Sequence, residues 1–144
     1  MIEKRGEIDF DSISKAIKKN AHKMVGTLAV NQFKTGFTTG GGKTDASVGG
    51  WKRRKNNSDP GRATLVKSGN LRRSIRIGSS NPDHVKIVAN MHYASYHNEG
   101  TRNLPKRNFI GDSRVLDRRI ELGITRIMDT ATKSAVKRNV KKTL

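Results

Sequence analysis

The segment Leu65-Val-Lys-Ser-Gly-Asn-Leu-Arg-Arg-Ser-Ile75 decides how this chain folds. Ser68-Gly69 starts a short helical turn with Leu71 directed inward. The period then changes: Ile75 and Ile77 alternate with Arg76, which is strand spacing. Beyond it, Ser79-Ser-Asn-Pro-Asp83 is a dense turn signal, and Val85, Ile87 and Ala89 alternate again. The pattern predicts a hairpin with strands at about 73–78 and 84–90, offering one apolar face to a helix. Next, Tyr93-Ala-Ser-Tyr-His-Asn-Glu99 reads as a short helix stopped by Gly100, where a left-handed terminal residue is expected. Pro105 breaks the following loop, and Phe109-Ile110 returns to the core.

Helices flank this unit on both sides. Phe10, Ile13, Ile17, Ala21, Met24 and Leu28 recur at steps of three and four, so a helix is expected over about 11–33, started by Asp11 or Ser12. A second long helix is expected over about 112–140, capped by Asp112 or Ser113. Val115 or Leu116, Ile120, Ile124, Ile127, Ala131 and Ala135 make its apolar stripe. Lys133 to Lys142 carries five basic residues and no acid, which suits the negative end of a helix dipole.

Between the first helix and the hairpin unit, residues 36–61 are of different composition. Glycines at 36, 40, 41, 42, 49, 50 and 61 alternate with Thr, Ser, Lys and Arg, and apolar periodicity is nearly absent. A long glycine-rich basic loop or arm is expected there, either solvated or ordered by a partner. Trp51 sits in it, followed by Lys52-Arg53-Arg54-Lys55, a candidate contact for an anionic partner. One large ring in such a loop anchors either into its own domain or into a neighbour.

The expected architecture is therefore α+β: long N- and C-terminal helices on a small antiparallel hairpin, with the unit at about 62–111 as its core. A length of 144 residues suits one domain. Hydrophobic residues are only 33% and aromatics 5%, so the core is small. Lys and Arg number 30 against 12 Asp and Glu, a formal charge of +18 that favours contact with something anionic. With no cysteine there is neither a disulfide framework nor a thiolate metal site. No stretch reaches the roughly 20 apolar residues of a membrane span, and Met1-Ile-Glu-Lys-Arg-Gly-Glu7 lacks the apolar region of a secretory signal. A soluble protein made in the cytoplasm is the expectation.

Three segments together resemble the phage virion morphogenesis family of the Mu-like tail completion type. The first is Leu65, Ser68, Gly69, Leu71, Ser74 and Ile75, preceded by Trp51 and basic residues. The second is Tyr93, Ala94, His97 and Gly100. The third is Pro105, Arg107, Phe109, Ile110 and Gly111. The resemblance spans roughly Trp51 to Ala131. It departs from the family's pattern at Asn108, where a second proline is common, and at Glu99, where a hydrophobic residue is common.

The resemblance implies an α+β subunit that forms a homo-oligomeric ring, with sixfold as the candidate symmetry. Such a ring would lie at the head–tail junction of a virion, assembled in the host bacterial cytoplasm. Its expected neighbours are the connector or head-closure protein and the tail tube or terminator protein, with non-specific contact to DNA in the channel. It implies no catalytic residue, cofactor or metal. Trp51, Leu65, Ser68, Gly69, Leu71, Tyr93, His97, Gly100, Arg107 and Phe109 become the signature and interface candidates.

Two rival classes have some support in the residues. For an enzyme, His97-Asn98-Glu99 and the pair His92 and His97 are the only suggestive features. A spacing of five separates the two imidazoles onto different helix faces, unlike the i,i+4 zinc pair, and neither a phosphate loop nor a nucleophile elbow occurs. The second rival is a basic nucleic-acid-binding protein, motivated by the charge and by Lys52–Lys55. The basic residues are nonetheless spread along the chain, with no helix-turn-helix, zinc-finger or RNA-recognition signature.

Overall fold

A computed structural model describes residues 8–41, 50–55 and 61–142. It has the expected α+β architecture: two long helices and a two-stranded antiparallel sheet, in the order α1 (Phe10–Thr39), α2 (Asn70–Ser74), β1 (Ile75–Ser80), β2 (Val85–Ala89), α3 (Ala94–Glu99) and α4 (Arg114–Lys142).

Helix α1 is longer than its apolar stripe foretold. It is capped two to three residues early by Asp9, whose carboxylate accepts from the Ser12 N–H at 3.1 Å, so neither Asp11 nor Ser12 is the cap. It runs on through Gly36 to Thr39 and stops at Gly40, which adopts the left-handed conformation (φ 62°, ψ 31°). Residues 36–39 are therefore helix and not the start of the loop. A mid-helix glycine costs about 1 kcal/mol relative to alanine. Burial of Phe37, only 1% exposed, outweighs that cost. Of the loop expected at 36–61, residues 42–49 and 56–60 lie outside the described residues, Gly42 and Gly49 among them.

Packing also divides α1 into two halves. Phe10, the first member of the sequence stripe, is 73% exposed, and Ile13, Ile17, Ala21, Met24 and Leu28 are only partly covered. The buried positions are Gly26, Ala29, Gln32, Phe33, Gly36 and Phe37, all in the C-terminal half. There α1 is the middle layer. On one side the hairpin presses on it: a Cβ at Gly26 would lie 2.6 Å from the Ile77 Cδ1. On the other side α4 runs antiparallel to it. Met24 fills the space beside Gly123, and Arg119 donates from Nη1 to the Gln32 Oε1 at 2.7 Å. Two strands alone are marginal in water, and α1 supplies their missing layer.

The hairpin pairs Ile75 with Ala89 and Ile77 with Ile87, with an irregularity between Ile77 and Ser79 that shifts the register at Gly78. Its turn is closed by Asn81, whose side-chain oxygen accepts from the N–H groups of Asp83 and His84 at 3.0 and 2.9 Å. Ser113, not Asp112, caps α4, its hydroxyl accepting from the Leu116 N–H at 3.2 Å. Of the two candidate core residues there, Leu116 is buried and Val115 is exposed.

Candidate functional site

The signature residues fall into two groups that share Arg107. The first is an anchor. Trp51, the chain's one tryptophan, packs inside its own domain. Phe37 meets it edge-on at 5.3 Å between ring centroids, and Phe37 in turn lies 5.5 Å from Phe109. The Trp51 N–H donates to the Gly40 carbonyl at 2.6 Å, and its indole Nε1 donates to the Asn108 carbonyl at 3.2 Å. Gly41 is left-handed (φ 83°) and lies so close beneath the indole that any Cβ there would overlap it. The ring thus joins the end of α1 to the segment that precedes α4.

Polar groups complete this joint. Asn98, on α3, accepts from the N–H groups of both Phe109 and Ile110 through one side-chain oxygen, at 2.9 and 3.0 Å. The Arg107 N–H donates to the His97 carbonyl at 2.9 Å, and the Arg107 Nε donates to the Lys52 carbonyl at 2.9 Å. Gly100 has positive φ (80°) and allows the backbone of Lys106 to pass at close range, although its ψ of 169° lies outside the left-handed helical region expected of it. Asn98 and Phe37 carry as much of this joint as the signature residues do, yet sequence reasoning passed over them. Neither has a local signal, because each meets its partners only across the fold.

The second group lines a cleft of about 430 Å³ between the 61–71 segment, α2 and α3. Leu65, Ser68, Gly69 and Leu71 come to it from one side, Tyr93 and His97 from the other, with Arg107 between the cleft and the anchor. Gly69 is in a left-handed conformation (φ 76°) at the N-terminus of α2, which fits the glycine there. Leu65 also has positive φ (62°), which costs a β-carbon-bearing residue about 1–2 kcal/mol. The surrounding packing holds this residue against its backbone preference.

The electrostatics of the cleft are one-sided. Arg54, Arg62, Lys67 and Arg107 line it, and among the described residues no Asp or Glu does. Arg54 donates from Nη2 to the Ala63 carbonyl at 2.8 Å, while its Nη1 is buried without a partner. Burial, and then the neighbouring Arg54, lower the pKa of Arg107. Burial, and then Arg107, lower that of His97, whose Nδ1 is likewise buried and unpartnered. Tyr93 lies edge-on to His97 at 5.9 Å and to His92 at 5.0 Å. A cleft lined by several cations, with no acid among its described residues, is suited to receiving an anion.

The four basic residues after Trp51 do not act as one patch. Lys52, Arg53 and Lys55 are exposed along a second cavity of about 420 Å³ with residues 101–105, whereas Arg54 turns into the wall between the two cavities. Among the described residues, no three His, Cys, Asp or Glu side chains stand close enough to hold a metal ion, and no helix is long and apolar enough to cross a membrane. Compared with protein-family models, with curated proteins and with solved structures, the chain matches none.

Proposed function

We propose that this chain is a structural subunit of a phage head–tail junction, a tail completion or neck protein that acts as a homo-oligomeric ring and turns over no substrate. The observation that supports this reading best is the use made of the signature residues. Trp51, Gly100, Arg107 and Phe109 join three segments distant in sequence into one small frame. Such a frame builds a shape and leaves chemistry aside. A second feature is in keeping with assembly. Phe10, Leu122, Met128 and Val136 expose apolar surface along the two long helices, and a small core gains stability when neighbours cover such surface.

The experiment is direct. The purified protein is examined by light scattering and negative-stain imaging, and lysates of cells infected with a tail-completion-deficient phage are supplemented with it. Rings, together with restored joining of heads to tails, are expected. A stable monomer that restores no infectivity would remove the reading.

The charge of +18 and the exposed Lys52, Arg53 and Lys55 favour a second reading, a basic nucleic-acid-binding protein. It requires duplex affinity at physiological salt that falls steeply as salt is raised. Negligible binding there, alongside intact joining activity, would dismiss it.

A further inference from the structure

The geometry points to the cleft between the 61–71 segment and α3 as a binding site for a carboxylate-bearing peptide segment of a partner protein, gripped by Arg54 and Arg107. This goes beyond the junction reading and does not depend on it, because it concerns the chemistry of one cavity.

Charge is the first ground. The main cleft and the adjoining cavity share Arg54 and Arg107 as a common wall, and among the described residues no acid lines either. A third cavity continues past Lys67 and Gly69 to Arg72 and Arg73, again with no acid among the described residues. Along the described residues the three form one basic run suited to an extended anionic chain. Neither Arg54 nor Arg107 has a carboxylate partner among the described residues; their hydrogen bonds go to the carbonyls of Ala63 and Lys52. Those carbonyls fix where the guanidiniums sit and, being neutral, do not cancel their positive charge. Planar guanidiniums held in place in this way match carboxylates by paired N–H···O bonds.

Shape is the second ground, and it selects the occupant. Arg107 is only 6% exposed, at the back of a cleft of about 430 Å³. Phosphates on a duplex lie on a stiff convex cylinder, which cannot follow a concave wall down to a buried group. An Asp or Glu side chain on an extended peptide can. Leu65, Leu71 and Tyr93 supply apolar surface for its methylene stem. A cavity of this size takes a few side chains.

The test uses the full chain and a fluorescent hexaglutamate peptide, read by anisotropy at about 150 mM salt, where diffuse surface attraction is largely screened. Arg54→Gln with Lys67→Gln removes two charges from the cleft. Lys18→Gln with Lys19→Gln removes two exposed charges from α1. Expected is a loss of about tenfold or more for the cleft pair, since charged hydrogen bonds are at stake, against less than about twofold for the α1 pair. Amide shifts in the unsubstituted protein keep the test independent of variant folding. Peptide titration should move Gly69, Tyr93 and His97 and leave α4 still. Equal losses in both pairs, or shifts spread over the basic helix faces, would overturn the inference. A short DNA duplex that displaces the peptide, and is itself lost with the cleft pair, would reassign the site to phosphate. Self-association abolished by the same pair would reassign it to another copy of this chain.

Discussion

Replacing Trp51 with alanine is the sharpest test of how this fold is held together. The indole is buried between Phe37 and Gly41, stacks edge-on at 5.3 Å, and satisfies the Asn108 carbonyl at 3.2 Å. Large-to-alanine changes at such sites cost about 3–5 kcal/mol, through lost transfer energy and the cavity left behind. Unfolding entropy of roughly 2.1 cal/mol/K per residue gives about 0.3 kcal/mol/K for 144 residues, so Tm should fall by about 10–16 °C. Because total stability is typically only about 5–15 kcal/mol, the variant should stand near the edge of folding. Trp51→Phe keeps most of the ring but loses the Nε1 donor, and should cost about 1–3 kcal/mol for the unsatisfied carbonyl and the altered fit. Circular dichroism melts and urea titrations at equal protein concentration read both values. If Trp51→Ala melted within about 2 °C of the parent, the ring would not be the joint described above, and the frame around Arg107 and Phe109 would need another support.

Other substitutions probe the same frame. Asn98→Ala strands the N–H groups of Phe109 and Ile110 and should cost about 2–4 kcal/mol, whereas Asn98→Asp keeps the acceptor and should cost less; urea midpoints separate them. Gly41→Ala should destabilise by at least about 1–3 kcal/mol, because φ is 83° and the new methyl would overlap the indole; a shifted fluorescence maximum of the one tryptophan would report its displacement. His97 has its pKa lowered in the fold by burial and then by Arg107. Below its unfolded value of about 6.5 the unfolded chain therefore binds more protons than the native one, and stability should decline as pH falls through that value towards the folded one. His97→Gln should flatten this slope, and an unchanged slope in urea titrations across the acidic range would remove His97 as its source.

Much of the architecture was legible because it rests on local rules. Ile75, Ile77, Val85 and Ile87 alternate in a way only a half-covered strand explains, and Asn81-Pro-Asp83 marks the turn between them. The apolar stripe of α4 was legible for the same reason, since Leu116, Ile120, Ile124 and Ile127 are spaced as one helix face. The end of α1 was not. Glycine-rich composition argued for a loop from residue 36, and only the burial of Phe37 against Trp51 and Phe109 shows why the helix continues. The cleft was half legible: its residues stood out as turn and cap positions, but the charge they gather at Arg54 and Arg107 could not be located from spacing.

By itself the sequence determined the element types, the hairpin and the excess of positive charge, because periodicity, turn chemistry and composition act between residues close along the chain. The tertiary structure decided which way Trp51 points, which of the four consecutive basic residues turns inward, and where the cations of the cleft meet. The placing of Trp51 and of Arg107 depends on contacts between segments more than 50 residues apart, Trp51 with Asn108 and Lys52 with Arg107 (separations of 57 and 55). No window of sequence holds both partners of such a contact, so only the folded chain can choose them.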